Sequence, residues 1–306
     1  MPSFFFTVFT PTYNRKHTLP GVYDSLCAQT FSDFEWLIVD DGSVDGTGEL
    51  IEHWRKGAKF PIRYFYQPNQ GKHVASNYGV REAQGELFLF FDSDDRCVPE
   101  TLARFKYHWD SIPVSERNMF STITALCRKE DGSPLGPAFP APVVDIASSR
   151  EQMRYRGSAD RWGVNRTAVL RQFPYPEIPG EKFIAEGIVW TRMSQSYKAR
   201  FINERLKIVR YQADGLSASS ARLRVDNAVG ARLYYQESLR AELPLSSRLR
   251  DAVNYCRFSF HAGAGWIRLV VESPHALLTA AFAPAGFLAS CLDRWRYRSP
   301  RNGPTA

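Results

Sequence analysis

Within the first third of the chain, four short apolar runs each end in a cluster of polar side chains. Phe4 to Phe9 leads into Thr10-Pro11-Thr12-Tyr13-Asn14-Arg15, and Phe34 to Val39 into Asp40-Asp41-Gly42-Ser43. Ile62 to Tyr66 is followed by Asn69-Gln70-Gly71-Lys72, and Leu87 to Phe91 by Asp92-Ser93-Asp94-Asp95. Runs of this length, bounded by turn residues, are those of strands buried on both faces. Between them, Leu19, Val22, Tyr23 and Leu26, then Leu50, Ile51 and Trp54, then Val74 to Ala83 repeat at helical spacing. Ser43 or Asp45 is the expected N-cap of the second helix. Buried strands alternating with helices require βαβ crossovers, which predicts an α/β fold with a mostly parallel sheet.

Beyond about Met119 the rhythm changes. Phe120 to Cys127 and Trp162 to Asn165 read as further strands, with a helix over Arg166 to Arg171. Asp131 to Pro142 reads as a Gly- and Pro-rich loop, and Phe173 to Gly180, with three prolines, as irregular chain. Ile184 to Tyr197 is expected to be helical and Arg200 to Tyr211 extended, and after about Ala221 the chain turns mostly helical and arginine-rich. The stretch His275 to Leu292 carries no formal charge with His275 neutral, and Asp293-Arg294-Trp295-Arg296-Tyr297-Arg298 follows it. It barely reaches the length of a membrane span, and Pro284 interrupts it. Three readings stay open: a kinked helix packed on the domain, an interfacial helix whose basic, tryptophan-bearing flank rests on anionic lipid, or, as the least favoured, a true span.

A chain of 306 residues has room for one large domain or a domain with an appendage. A net charge of +7 favours anionic partners, against which the acidic cluster at 92–95 stands out. The five cysteines are scattered without a CxxC or Cys/His cluster, so neither structural zinc nor a disulfide framework is expected. That suits a reducing cytosol. The N-terminus lacks a basic n-region and runs directly into a strand pattern, so no signal peptide is expected.

In an open parallel sheet, ligands bind beyond the carboxyl ends of the strands. The four polar clusters would share that edge, offering an aromatic ring (Tyr13), cations (Arg15, Lys72) and carboxylates. This inventory suits a metal-bound nucleoside diphosphate: Tyr13 could stack on a base, Asp41 could accept from a base N–H, and hard Mg²⁺ or Mn²⁺ would take carboxylate and phosphate oxygens. Each piece also has a purely structural reading. Thr12 or Asn14 could cap a helix, Asp40 to Ser43 could form an Asx-type turn, and Lys72 could be a solvated surface cation.

The order Pro11-Thr12-Tyr13-Asn14-Arg15, Gln29-Thr30-Phe31-Ser32-Asp33-Phe34-Glu35, Val39-Asp40-Asp41-Gly42-Ser43 and Asp45-Gly46-Thr47 resembles the family 2 glycosyltransferases. The likeness continues through Asn69, Gly71, Ala75, Asn77, Gly79, Ala83, Gly85-Glu86 and Asp92-Ser93-Asp94-Asp95, and it is dense over about the first 110 residues. It implies a GT-A fold, Rossmann-like, over 1–217, with a helical C-terminal extension over 218–306. It also implies that Pro11 and Tyr13 line the nucleobase pocket, that Asp41 meets a uracil-type base, and that Arg15 and Lys72 lie near the pocket or phosphates. Asp92-Ser93-Asp94 matches the family's DxD motif, so Asp92 would face the ribose or donor sugar and Asp94 would ligate Mn²⁺ or Mg²⁺. Asp95 would share either task or cap the helix after Pro99.

The resemblance further implies inversion at the anomeric carbon, with a general base across the sugar. Family members carry that base as the Asp of a Glu-Asp pair. Here Gly187 stands in its place, which leaves Glu186 as the candidate and Glu181 as a poorer one. Asp214-Gly215-Leu216-Ser217 is a candidate loop closing over the donor.

The expected activity is transfer of a sugar from a nucleotide-sugar, a UDP-sugar by resemblance, to a glycan or lipid-linked acceptor in polysaccharide biosynthesis. The expected place is the cytoplasm, or the cytoplasmic face of a membrane through the C-terminal region, with no nucleic-acid partner. One alternative is a sugar-phosphate nucleotidyltransferase, although such enzymes carry a Gly-rich loop where this chain has Pro11 to Arg15. The other is a nucleotide- or glycan-binding relative without catalysis, for which Gly187 is the only support.

Overall fold

The structure, a computed structural model, describes residues 2–157, 159–210 and 220–297. These fall into two compact units: 1–177 with 189–213, and 178–188 with 214–306.

The first unit begins with the alternation its sequence announces. β1 (Phe4–Thr12), α1 (Leu19–Cys27), β2 (Phe34–Asp40), α2 (Thr47–Arg55), β3 (Ile62–Tyr66), α3 (Lys72–Glu82) and β4 (Gly85–Phe90) follow in order. β1 pairs in parallel with both β2 and β4, and β2 with β3. Every residue of β2 is buried, including Glu35, which accepts from Thr7 Oγ1 at 2.6 Å and pairs with Arg63 at 3.1 Å. β1 lies close to its helical cover. A Cβ on Gly79 would meet the Phe9 ring at 2.2 Å, so α3 can settle on β1 only with glycine there.

Next come β5 (Arg96–Cys97), α4 (Thr101–Asp110), β6 (Phe120–Lys129), β7 (Pro134–Leu135), β8 (Val143–Ile146), α5 (Ser149–Arg156), β9 (Arg161–Arg166), α6 (Thr167–Leu170), α7 (Gly187–Ser194) and β10 (Lys198–Val209). The sheet runs β3-β2-β1-β4-β9-β6-β10-β5, with β7 on β6 and β8 on β10. Four ladders are parallel and five antiparallel among the described residues. The fold is thus the expected α/β sheet flanked by helices, but mixed rather than mostly parallel. β9 enters antiparallel between β4 and β6, and a Cβ on its Gly163 would fall 1.9 Å from the Ile123 carbonyl oxygen. One continuous core links both halves through Phe6, Trp36, Phe91, Phe105, Phe120 and Trp162.

Local expectations differ from the structure in instructive ways. The N-cap of α2 is Gly46, left-handed at φ 85°, while Asp45 accepts from the Thr47 amide at 3.1 Å just outside the helix. The predicted helix over 184–197 is shorter at both ends, and the predicted loop over 131–142 contains β7.

The second unit contains α8 (Ser220–Asp226), α9 (Ala228–Arg240), α10 (Leu245–His261), α11 (Trp266–Val271) and α12 (Ala276–Arg296). Its core gathers Tyr235, Leu239, Tyr255, Phe258, Phe260 and Leu269, with Tyr235 and Phe258 stacked at 5.6 Å. The segment 178–188 belongs to this unit. Glu181 accepts from the amides of Val229 and Gly230, both at 2.7 Å, and so caps the positive end of α9. α12 runs through Pro284 and is long and apolar enough to cross a membrane by length and composition alone.

Candidate functional site at the sheet edge

Because β1 to β4 run parallel, their carboxyl ends share one edge, where Thr12 is in register with Asp40 and Asp40 with Tyr66. The loops after these strands are stitched together. The Asn14 amide donates to Ser43 Oγ at 2.7 Å, the Val44 amide to Asn14 Oδ1 at 2.9 Å, and the Lys16 amide to Asp45 Oδ2 at 3.0 Å. Asn14 adopts a left-handed φ of 53°, a conformation that Asn tolerates better than most residues. The stitching fixes the turn carrying Tyr13, whose ring is about half exposed at 48%, whereas Pro11 is buried within β1.

Asp41 is buried and fully engaged. Oδ1 accepts from Gln67 Nε2 at 2.7 Å and the Gln70 amide at 2.8 Å; Oδ2 accepts from Asn69 Nδ2 at 3.1 Å and the Gly71 amide at 2.8 Å. A carboxylate offers about four lone-pair sites, so a base N–H could bond here only by displacing one of these donors. In this arrangement Asp41 pins the loop 67–71 to the end of β2. Asp40 has the turn role expected of an Asx motif, accepting from the Ser43 amide at 2.8 Å and from Tyr64 Oη at 2.9 Å.

The loop pinned by Asp41 delivers Lys72, the first residue of α3, to the carboxylates after β4. Lys72 Nζ donates to Asp92 Oδ1 at 2.6 Å. From the far side of the sheet, Lys207 on β10 lies 3.5 Å from Asp92 Oδ2 and 2.5 Å from Asp95 Oδ2. Desolvation at this edge opposes charge on Asp92, but the two ammonium groups outweigh it and hold its carboxyl well below the usual carboxylate range. Asp95, more deeply buried, is pushed up to about 6 by desolvation against the pull of Lys207. Its Oδ1 accepts from the Arg210 amide at 3.2 Å. It ties the turn at 92–95 to the end of β10 and does not cap α4, whose N-cap is Glu100.

Asp94 differs from both neighbours: it makes no side-chain hydrogen bond or ion pair among the described residues. Desolvation and the charge of Asp92 raise its carboxyl above the ordinary value, with Arg15 opposing them. Three carboxylates thus face two lysines, and Asp94 is the one that neither lysine pairs with directly, with Arg15 and Lys207 acting on it through their charge alone. No group of three or more His, Cys, Asp or Glu side chains is gathered for a metal among the described residues. The donor set fits a cation held by one carboxylate and completed by ligand phosphates, not a cage made of protein alone.

Lys207 was not legible from the motifs, since a lysine within an apolar strand run (Leu206 to Val209) was its only signal. His73 was also missed. It lies buried at the start of α3 with neither ring nitrogen hydrogen-bonded, and burial lowers its pKa against Glu177 and Asp41. A separate cleft at the start of α2, lined by Ser43, Thr47, Glu49, His53 and Tyr64, includes none of the predicted site residues.

The candidate base, Glu186, is exposed immediately before α7 and belongs to the second unit. A Cβ on the neighbouring Gly187 would come 2.8 Å from the Tyr234 ring, a packing reason for glycine where the family pattern has Asp. Glu181 spends both oxygens on α9 and is not available as the base. Asp214 to Ser217 lies outside the described residues.

Residues 7–115 match the family model described as glycosyl transferase family 2. These residues belong to glycosyl transferase family 2. The match takes in β1 through α4 and every polar cluster of the sheet edge. An uncharacterised glycosyltransferase of Rickettsia felis is 40% identical over 89 residues, 29% of this chain and 14% of its own. The poly(ribitol-phosphate) beta-N-acetylglucosaminyltransferase TarS of Staphylococcus aureus is 34% identical over 99 residues, 32% of this chain and 17% of its own. The chain therefore spans less than a fifth of the length of these two relatives. Among solved structures, TarS 1-349 in complex with UDP-GlcNAc superposes with a TM-score of 0.66 at 20% identity, covering 98% of this chain and 94% of that one. Mannosyltransferase PcManGT of Pyrobaculum calidifontis, in complex with GDP-Man and Mn²⁺, gives 0.55 at 17% identity over 96% and 90%. At such identities the structural likeness establishes the fold alone, which is the GT-A architecture of these structures.

Proposed function

We propose that this chain is an inverting, metal-dependent glycosyltransferase. It would move a sugar from a nucleotide-sugar, a UDP-sugar by family resemblance, to a glycan or lipid-linked acceptor in polysaccharide biosynthesis on the cytoplasmic side. The observation that carries the reading is the charge arrangement after β4, where Lys72 and Lys207 neutralise two carboxylates and Asp94 keeps its own without a partner.

In this reading Tyr13 offers its exposed ring to the base, with Pro11 behind it in β1. Asp41 holds the pocket wall and reaches the base by exchanging one of its four hydrogen bonds. Arg15 and Lys72 face the phosphates, Asp92 faces the ribose or donor sugar, and Asp94 ligates the metal. When bound, Mn²⁺ or Mg²⁺ supplies Lewis-acid stabilisation of the charge that develops on the leaving diphosphate. Lys72 adds a fixed positive charge to the same group and is already oriented by Asp92. Glu186 is the proposed acceptor of the hydroxyl proton. Support for a UDP donor comes from the UDP-GlcNAc complex of TarS, and support for the metal from the Mn²⁺ complex of PcManGT. Five free cysteines suit a reducing compartment.

Hydrolysis of UDP-sugars, followed with Mn²⁺ and after chelation, tests the reading. We expect chelation or Asp94→Ala to lower the rate by at least about 100-fold, the scale of losing a major electrostatic stabiliser. Turnover that survives both would sink the metal assignment. Full activity in Glu186→Gln would move the base elsewhere, and tight donor binding without turnover under any condition would favour a non-catalytic relative, for which Gly187 speaks.

A further inference from the structure

α12 is built inside out. Its buried positions are Thr279, Ala283, Gly286, Ser290 and Asp293, alternating at spacings of four and three, so the face turned to the protein is small and polar. The face turned away is apolar: Leu277 is 90% exposed, Leu288 64% and Leu292 66%. A surface helix of a globular domain shows the reverse pattern.

The small seam exists because α12 lies along α10 at close range. A Cβ on Gly286 would fall 2.3 Å from Cys256 Cβ and 2.9 Å from the Arg257 backbone nitrogen. Asp293 accepts from Arg257 Nε and Nη2, both at 2.5 Å, with His261 Nε2 at 3.0 Å, and Arg294 Nη2 donates to the Phe260 carbonyl at 2.9 Å. Trp266 of α11 packs on Phe287 at 5.6 Å, and α11 exposes Ile267 and Val271 as well.

We propose that the α11–α12 face docks on an anionic lipid bilayer and lies in the plane of its interface. From Ala276 to Leu292 every exposed side chain is apolar or cysteine, the chemistry of acyl chains rather than of a hydrogen-bonding protein partner. Charge enters only at the end, as Arg294 and Arg296 beside the exposed Trp295, and it has the sign that anionic headgroups attract. The one acidic residue of α12, Asp293, is buried and paired, and Glu272 after α11 is paired with Arg232 and Arg268. A span is excluded by the seam itself. Crossing would draw the attached α10, with Arg250, Asp251 and Arg257, into hydrocarbon. This inference is independent of the sugar-transfer reading, because it concerns other residues and a readout that requires no donor.

The test is flotation of the purified full chain with vesicles of phosphatidylcholine, with and without phosphatidylglycerol, at low salt. We expect the chain to float with the anionic vesicles. Leu288→Glu, which disturbs no buried contact, should abolish flotation while leaving the circular-dichroism spectrum unchanged. Arg294→Gln with Arg296→Gln should weaken partitioning by about 25-fold, from about fivefold per arginine near the surface. In the unaltered chain, brominated acyl chains should quench tryptophan fluorescence, an arm that stands even if a variant misfolds. The proposal is overturned if the chain stays unbound, if Leu288→Glu floats like the parent, or if the bound chain resists carbonate extraction as a span would. Light scattering that shows a dimer dissociated by Leu288→Glu overturns it in favour of a second copy on this face.

Discussion

The three carboxylates after β4 look interchangeable in sequence, yet each has a different set of neighbours. Asp92 is shared by two lysines, Asp95 is buried against one of them and a backbone amide, and Asp94 pairs with neither lysine. Lys207 makes that division. Replacing it with methionine keeps most of the side-chain volume but leaves Asp95 buried without its counter-charge. We expect Lys207→Met to destabilise the first unit by about 3–5 kcal/mol, the range for breaking a buried pair, as read by urea unfolding. Adding Asp95→Asn should recover most of the loss, because the orphaned charge goes with it. Non-recovery in the double variant would show that the loss comes from packing against Trp162 instead. The lysine was invisible to motif reading because a strand's period says that position 207 is inward but not which carboxylates await it.

Among the elements, the strands and helices of the first third were read closely, since each has a complete local signature. β3 matches residue for residue, and α1 takes in all four apolar positions, Leu19, Val22, Tyr23 and Leu26, that marked it. The shortfalls lie where local pattern competes with tertiary contact. β8 and α5 went unread, and the latter is very polar for a helix, held by a Ser148 cap and by Gln152 donating to the Ile146 and Tyr197 carbonyls. The α10–α12 pair carries a prediction of its own. Asp293 keeps a depressed pKa although burial opposes its charge, because Arg257 and His261 favour the ionised form. A carboxyl with a folded pKa below its unfolded value of about 3.9 contributes stability above that value and loses it as pH falls through the folded one. The thermal stability of the second unit should therefore fall as pH drops below about 4. In Asp293→Asn this acid limb should flatten while the melting temperature at neutral pH falls. An unchanged acid limb would assign the pH dependence to other carboxylates.

For the molecule as a whole, ligand binding and folding of the first unit are linked. A ligand that binds only the folded state stabilises it by about 2.7 kcal/mol at one hundred times its dissociation constant. UDP with Mn²⁺ should therefore raise the melting temperature of this chain, either component alone should do less, and Asp94→Ala should abolish the metal-dependent part. Equal shifts in Asp94→Ala and the parent would remove Asp94 from the metal site. What the sequence determined was local: the period of each apolar run, the turn chemistry at its end, and the family signature from Pro11 to Asp95, which together gave the α/β fold and brought the polar clusters to one edge. What the tertiary structure alone decided was who meets whom. It set β9 antiparallel beside β4, carried Lys207 to Asp92 and Asp95, saturated Asp41 with loop donors, and turned the apolar face of α12 outward by pressing its small face onto α10. The physical reason is that backbone propensity and hydrophobic period act over a few residues, whereas charge pairing and close packing join side chains far apart in the chain, and their partners exist only once it has folded.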